Sequence, residues 1–231
     1  MPNCTISLIA YPASEFALTA TRRDFYGWAT PNSHRVSILL EELGLPYTAT
    51  GVNIRRKEQF APAVLRLNPY GKIPVLVEHQ DGQQPVVLFE SGAILQHLAE
   101  THGRFLPPAG PARAETLSWL MVVLTALGPY TGQAHHWTEL APEPSAPARE
   151  HSIALVRRVY ALLEARLAGL PFLAGEAYSI VDIAAWPWIM RHGWADLSLV
   201  DYPNLARWSR LVGERPAVQR GIAVPAGARL E

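Results

Sequence analysis

A proline-rich segment at residues 107–111 separates two parts of the chain in which hydrophobic residues recur with different periods. Before the segment, short β-rich runs alternate with stretches of helical spacing, whereas only helical spacing recurs after it. Proline-rich segments are stiff and poor in hydrogen-bond donors, which is typical of a boundary between domains. The sequence therefore predicts an N-terminal extension over residues 1–23, a mixed α/β domain over 24–106, and an all-helical domain over 112–231.

The first domain is predicted to run strand, helix, strand, helix, strand, strand, helix. Residues 79–83 lie between the last two strands and suit a hairpin turn because Gly82 tolerates a positive φ. Ser91 is predicted to cap the last helix, and Gly103 to end it. The strands are predicted over residues 25–28, 47–53, 73–78 and 86–89, and the later helices over 59–67 and 91–102.

The second domain is predicted to contain helices only. One of them begins at Ser179, and Asp182 stands where a carboxylate satisfies free backbone donors of the first turn, so Asp182 is predicted to stabilise this helix rather than perform chemistry. The adjacent pair His135-His136 does not share one helix face, which argues against a metal site. The other helices are predicted over residues 113–127, with a break at Gly128-Pro129, over 149–167, and over 203–221, with an interruption at Arg215-Pro216.

The first helix begins at Thr30-Pro31-Asn32, directly after a strand. Thr30 or Asn32 can cap this helix, Pro31 suits a first-turn position, and Gly44 is predicted to end it. Unpaired N–H groups and the positive end of the helix dipole would stabilise an anion there, for example a thiolate, a carboxylate or a phosphate. The local pattern by itself favours an ordinary helix cap over an anion site.

The charge of the chain indicates which classes of partner it binds, and its cysteine content indicates the cellular compartment. The chain carries 20 basic and 20 acidic side chains, so its charge favours a small-molecule or protein partner over a nucleic acid or an anionic membrane. The single cysteine, Cys4, excludes an internal disulfide and a cysteine-rich zinc site and fits a reducing compartment, the cytoplasm. The apolar run at residues 6–10 is too short for a signal peptide or a membrane span.

Several further segments stand in order between residues 25 and 221, and together they carry a family resemblance. The chain resembles the cytosolic glutathione transferase superfamily and, within it, the Nu class of glutathione-dependent disulfide-bond oxidoreductases. The resemblance implies a thioredoxin-like N-terminal domain followed by an all-helical glutathione transferase domain, a homodimer, and glutathione as cosubstrate with no metal. The matching segments are Thr30-Pro31-Asn32, Glu58-Gln59-Phe60, Asn68-Pro69-Tyr70-Gly71-Lys72-Ile73-Pro74, Phe89-Glu90-Ser91-Gly92, Leu127-Gly128-Pro129, Gly132-Gln133-Ala134-His135-His136, Tyr178-Ser179-Ile180-Val181-Asp182, Trp186-Pro187-Trp188 and Arg215-Pro216-Ala217-Val218.

The resemblance also assigns site residues. Thr30 and Asn32 would donate hydrogen bonds to the glutathione sulfur and act as the catalytic residues. Ile73, before a proline expected in cis, would pair its main chain with the cysteine residue of glutathione. The other expected contacts are Glu90 and Ser91 with the γ-glutamyl group, Gln59 and Lys72 with the middle and the glycyl end of the tripeptide, and Pro74 beside Ile73.

The chain departs from the class pattern in two places that bear on the second substrate. His151-Ser152 stands where the class has an Arg-Tyr pair, so either Arg149 compensates by binding glutathione or the second thiol site is altered. Residues 122–127 are more apolar than the class pattern, which predicts a more apolar electrophile pocket. Ser33 follows Asn32 in place of glycine, a mild change because serine is acceptable at a helix start.

The expected chemistry begins with ionisation of the glutathione thiol. A free thiol with a pKa of about 8.5 is mostly protonated at neutral pH, so hydrogen-bond donors directed at the sulfur are needed. No cysteine lies near Thr30, so disulfide exchange would proceed between thiols that are held noncovalently. Two other functions remain open at this point: a noncatalytic regulatory or binding protein with the same fold, and ether cleavage or dehalogenation by the same thiolate.

Overall fold

The computed structural model describes residues 21–229, and its first part is built on a mixed four-stranded sheet. The strand order is β2-β1-β3-β4; β1 pairs with β2 in parallel, while β3 is antiparallel to both β1 and β4. This sheet and the three helices of the first part form the predicted thioredoxin-like arrangement. The strands are β1 (Arg22–Gly27), β2 (Thr48–Gly51), β3 (Val75–His79) and β4 (Val86–Phe89).

The predicted N-terminal extension is too long, because β1 already begins at Arg22. Arg22 pairs with His79 and Arg23 with Glu78 in the β1–β3 ladder. Arg23 is buried, and its Nε donates to Glu78 Oε1 at 2.7 Å. A buried carboxylate thus accommodates a charged residue inside the strand. Residues 1–20 of the predicted extension lie outside the described residues.

The helices of the first part are α1 (Pro31–Leu43), α2 (Pro62–Leu67) and α3 (Ser91–His102). The order of strands and helices is as predicted. The single helix predicted over residues 59–67 is wrong, since a separate 3₁₀ turn (Glu58–Phe60) precedes α2. The two are divided at Ala61, which has the extended conformation φ −62°, ψ 141° because the following proline disfavours the α region.

The second part is helical. Its helices are α4 (Gly110–Val122), α5 (Gly128–His135), α6 (Ala146–Leu167), α7 (Ile180–Ile189), α8 (Pro203–Gly213) and α9 (Pro216–Ile222). The predicted break at Gly128-Pro129 is wrong. A π-helical turn (Val123–Leu127) joins α4 to α5, and the N–H of Gly128 donates to the carbonyl of Val123, five residues earlier. Proline enters here without ending the helix because the wider turn has already left the regular α bonding pattern.

Helix α1 lies between the sheet and the helical part and contacts α3, α7 and α9. Its residues Val36, Ile38, Leu39 and Leu40 are fully buried in a core that is continuous across both parts. The contact with α9 is close at Gly221, where an added Cβ would lie 2.6 Å from Ile38 Cα. None of the helices among residues 21–229 combines the length and the apolar character that a bilayer span needs.

Candidate functional site

Two cavities meet at the N-terminus of α1. The smaller, of about 430 Å³, lies between α1, the start of α3 and α5; the larger, of about 1350 Å³, lies between α1, α5 and α7. Four residues border both cavities: Asn32, Lys72, Gly132 and Trp188. A group bound beside Asn32 is therefore accessible from both sides.

Thr30 is the cap of α1, with φ −109° and ψ 151°. Its Oγ1 accepts the backbone N–H of Ser33 at 3.3 Å and lies 3.0 Å from Ser33 Oγ. Ser33 Oγ in turn accepts the N–H of Trp28 at 3.3 Å, so the serine joins the end of β1 to the helix start. The first turn contains no acidic side chain, which leaves the positive end of the helix dipole available to an anion. Thr30 borders the larger cavity.

Asn32 stands on the first turn of α1 with its amide fixed by two donors. Its Oδ1 accepts Arg35 Nη1 at 2.8 Å and the indole Nε1 of Trp188 at 3.0 Å. Trp188 belongs to α7, so the helical part of the chain contributes directly to the geometry at the start of α1.

Arg35 is a site residue that the sequence reasoning missed. It is buried; its Nε donates to the carbonyl of Ala184 at 2.8 Å, and its Nη1 also lies 3.1 Å from Ser91 Oγ. Burial lowers the pKa of the Arg35 guanidinium to about 9, and the charge of Glu90 acts in the opposite direction. The group therefore stays charged at neutral pH. A signal was present in the sequence, because Arg35 stands in the apolar-periodic first helix, directly before Val36 and close to the run Ile38-Leu39-Leu40.

The opposite wall of the smaller cavity is formed where β4 turns directly into α3. The prediction that Ser91 caps α3 is wrong, because Ser91 is the first residue of the helix. Glu90 takes the cap position, and its side chain makes no capping hydrogen bond. Glu90 has φ 67° and ψ 112°, a conformation that is costly for a residue with a Cβ. This sharp turn brings the Ser91 hydroxyl inward to Arg35 and leaves the Glu90 carboxylate at the cavity edge.

The structure brings together most of the site residues predicted from the sequence. Lys72, Ile73 and Pro74 border the smaller cavity together with Glu90 and Ser91, and the Ile73–Pro74 bond is cis, as expected.

Two predicted contacts lie elsewhere. Gln59, on the 3₁₀ turn after β2, borders neither cavity. Arg149, near the start of α6, also borders neither cavity and forms an ion pair with Asp196. Arg149 therefore lies outside the two cavities, and its guanidinium pairs with Asp196, the two side chains being 43% and 44% exposed.

The larger cavity combines cationic and aromatic walls. Arg55, Arg191 and Arg229 border it with Lys72, whereas Glu139 is the acidic residue on its wall within the described range. The walls also include Trp186, Trp188 and Trp194, and His135 stacks on Trp194 with ring centroids 4.0 Å apart. Such a surface suits an anionic ligand that also has apolar or planar groups. Across residues 21–229, no three histidine, cysteine, aspartate or glutamate side chains are grouped so that they could hold a metal ion.

Comparison with known proteins gives matches along most of the chain. Residues 29–101 match the family described as glutathione S-transferase, N-terminal domain, and residues 117–216 match glutathione S-transferase, C-terminal domain. The chain is 41% identical over 201 residues to the disulfide-bond oxidoreductase YfcG of Escherichia coli, covering 86% of this chain and 94% of YfcG. It is 37% identical over 212 residues to the disulfide-bond oxidoreductase YghU of the same organism, covering 86% of this chain and 73% of YghU.

Solved structures agree with these matches. A glutathione transferase family member from Pseudomonas fluorescens, crystallised with two glutathione molecules, has a TM-score of 0.82 and 36% identity over 87% of this chain and 92% of that chain. A glutathione transferase from Pseudomonas putida, with one glutathione disulfide bound per subunit, has a TM-score of 0.82 and 36% identity over 88% and 92% of the two chains.

Proposed function

The chain belongs to the glutathione S-transferase family, and from that premise we propose that it is a glutathione-dependent enzyme that uses the glutathione thiolate to reduce disulfide bonds. One observation carries the proposal: Asn32, at the N-terminus of α1, borders a smaller and a larger cavity at once. A sulfur held there would face a second substrate in the larger cavity. The relatives named as disulfide-bond oxidoreductases support this reaction over others of the family.

In this proposal glutathione occupies the smaller cavity. Ser91 and the first N–H groups of α3 would bind the γ-glutamyl carboxylate, and Glu90 its ammonium group. The backbone of Ile73 would pair with the cysteine residue, and Lys72 would face the glycyl carboxylate. Lys72 suits this role because its Nζ lies 5.8 Å from the centre of the Tyr70 ring and forms no ion pair among residues 21–229, so its charge is available to a ligand. The proposal assigns no contact to Gln59 or Arg149.

The thiol would be activated by hydrogen bonds and not by a protein base. Thr30 and Asn32 supply donors at the positive end of α1, and each bond to the charged form lowers the thiol pKa. The thiolate attacks one sulfur of a disulfide RS–SR′, forms GS–SR and releases R′S⁻, which takes up a proton. A second glutathione thiolate then attacks the glutathione sulfur of GS–SR, which yields GSSG and releases RS⁻. The cations around the larger cavity favour the anionic groups of these species.

The decisive test uses the fact that Cys4 is the single cysteine. We expect the chain to catalyse glutathione-dependent reduction of bis(2-hydroxyethyl) disulfide, measured through NADPH consumption by glutathione reductase, and Cys4→Ser to keep the full rate. Mass spectrometry after incubation with GSSG should show no glutathione attached to the protein. A rate lost in Cys4→Ser would require a protein thiol. Binding of glutathione without turnover of this disulfide or of a halonitroarene would instead support a noncatalytic binding protein.

Transfer of glutathione to an electrophile is a second reaction that the same thiolate can perform. The indoles of Trp186, Trp188 and Trp194 give the larger cavity apolar walls, and Leu124 adds an apolar side chain to the smaller one. This lining favours a planar, hydrophobic acceptor. Ether cleavage and dehalogenation are variants of this reaction, because both begin with attack of the thiolate on carbon.

We also propose that the protein is a cytoplasmic homodimer. The compartment follows from the reaction, which needs a pool of reduced glutathione, and from the low cysteine content. The dimer follows from apolar side chains at and near the free edge of the sheet: Val86 and Phe89 on β4 are 42% and 41% exposed, and Phe60 and Tyr70 are 54% and 67% exposed. An edge strand with exposed apolar residues is a surface that a second copy can cover.

The dimer proposal can be tested with one substitution on this surface. We expect the chain to elute with twice the monomer mass in light scattering at micromolar concentration, and Phe60→Glu to weaken the dimer by at least tenfold because it places a charge in an apolar contact. Leu140→Glu is the control, because Leu140 is similarly exposed (57%) but lies in the helical part of the chain, and this substitution should leave the dimer intact. A monomer mass for the unmodified chain would contradict the proposal.

A further inference from the structure

The amide of Asn32 has a defined orientation in this structure. A carbonyl oxygen has two lone pairs, and Asn32 Oδ1 uses both, accepting Arg35 Nη1 at 2.8 Å and Trp188 Nε1 at 3.0 Å. The other end of the amide, Nδ2, has no hydrogen-bond partner among residues 21–229. Because Asn32 borders both cavities, the free end of its side chain is a donor and not an acceptor.

Both donors are themselves held firmly. The Arg35 guanidinium is buried and donates through Nε to the carbonyl of Ala184 on α7 at 2.8 Å. Trp188 is 8% exposed, and Arg35 Cζ lies 5.9 Å from the centroid of its ring, so the two donors also pack on each other. Gly128 permits this arrangement, since a Cβ there would lie 3.2 Å from the Trp188 ring and 3.4 Å from Arg35 Nη2.

We propose that Arg35 and Trp188 are positioning residues that hold the Asn32 side chain with its NH₂ group directed at the glutathione sulfur. The inference rests on the proposed function, because it concerns the sulfur of the same bound thiolate. The two ends of an amide have similar shapes and opposite polarity, so without these donors the side chain could turn and present its oxygen. The NH₂ group stabilises a thiolate, whereas the oxygen would repel it.

The arrangement makes thiol activation a property of both parts of the chain. Asn32 and Arg35 lie on α1 of the first part, while Trp188 and the carbonyl of Ala184 lie on α7 of the second. The indole N–H of Trp188 thus donates to Asn32 from 156 residues further along the sequence.

The test measures the pKa of the bound glutathione thiol from the ultraviolet absorbance of its thiolate. Trp188→Phe keeps an aromatic ring and removes the N–H, so we expect the thiol pKa to rise by about half a unit and kcat to fall about threefold, with KM for glutathione unchanged. Asn32→Asp keeps both accepted bonds and replaces the NH₂ group with an oxygen, so the thiol pKa should rise further, by a unit or more.

Two comparisons separate positioning from a general structural effect. Trp208→Phe removes a buried indole N–H that donates to Asp182 at 2.8 Å outside both cavities, and it should leave the thiol pKa unchanged despite a loss of stability. In an Asn32→Ala background, Trp188→Phe should no longer change the thiol pKa, because its action passes through the amide. A shift that persists in that background would overturn the inference.

Failure of this inference differs from failure of the proposed function. If the wild-type complex shows no lowering of the thiol pKa relative to free glutathione, the proposed activation itself is wrong. If the thiol pKa is lowered in the wild type and Trp188→Phe does not change it, the proposed activation is supported and the positioning role is refuted. The backbone N–H groups would then be sufficient donors.

Discussion

Replacing Thr30 and Asn32 together with alanine is expected to lower kcat/KM for glutathione-dependent disulfide reduction by about a hundredfold or more. In the proposed mechanism each side chain donates one hydrogen bond to the charged sulfur, and such bonds are worth about 1.5–3 kcal/mol in a site of this kind. The loss of two bonds raises the barrier by at least ~3 kcal/mol, and every ~1.4 kcal/mol is a factor of ten in rate. Steady-state kinetics with the same disulfide assay measure the effect.

The alanine at position 30 also removes a helix cap, and this second effect must be separated from catalysis. Thr30 Oγ1 accepts the N–H of Ser33, and loss of a cap of this type costs about 1 kcal/mol of stability. Thr30→Ser is the matched control, because it keeps the hydroxyl and should keep most of the activity. A double variant that is folded by circular dichroism and as active as the wild type would refute the assigned roles of both side chains.

Asp182→Ala is expected to lower the free energy of unfolding by about 3–5 kcal/mol. Asp182 is fully buried, and its carboxylate accepts the N–H of Leu173 at 2.9 Å, the N–H of Ser179 at 3.0 Å, the hydroxyl of Ser179 at 3.1 Å and the indole Nε1 of Trp208 at 2.8 Å. Burial raises the pKa of Asp182, and these hydrogen bonds act in the opposite direction. Without the carboxylate, the donors remain buried and unsatisfied, which is costly.

Urea denaturation measures this loss of stability. Asp182→Asn keeps one acceptor oxygen and should lose less stability than Asp182→Ala. Asp201→Ala, at an exposed aspartate in the same part of the chain, should change the stability by less than about 0.5 kcal/mol. Equal losses in Asp182→Ala and Asp201→Ala would show that the buried network does not carry the stability of α7.

Features encoded by a few neighbouring residues could be predicted from the sequence. Thr30 caps α1, and Gly44 ends it with φ 69°, as the turn chemistry requires. Ser179 and Asp182 form the predicted reciprocal cap of α7. The order of elements and the change to an all-helical part were predicted in the same way, because period and turn residues are local properties.

Features set by distant residues could not be predicted in this way. Arg35 belongs to the site because its partners Ser91 and Ala184 lie 56 and 149 residues further along the chain. Arg149 was expected to contact glutathione, yet it borders neither cavity and pairs with Asp196, 47 residues further along the chain. The local sequence shows that an arginine is present, but it does not show which distant carboxylate or carbonyl group will bind its guanidinium. Arg23 illustrates the same limit, since its place inside β1 depends on Glu78 in the neighbouring strand.

The side chains that line the two cavities differ in how many hydrogen bonds they share with one another, and this difference determines where the enzyme can change its substrate. Around the smaller cavity, Arg35, Asn32 and Ser91 share hydrogen bonds, so one change there disturbs several partners. Around the larger cavity, Arg55 and Glu139 are exposed, and the Glu139 carboxylate pairs with His135 Nδ1 at 3.7 Å. Divergence and directed evolution can therefore vary the acceptor at these wall positions while the tripeptide half of the reaction stays intact.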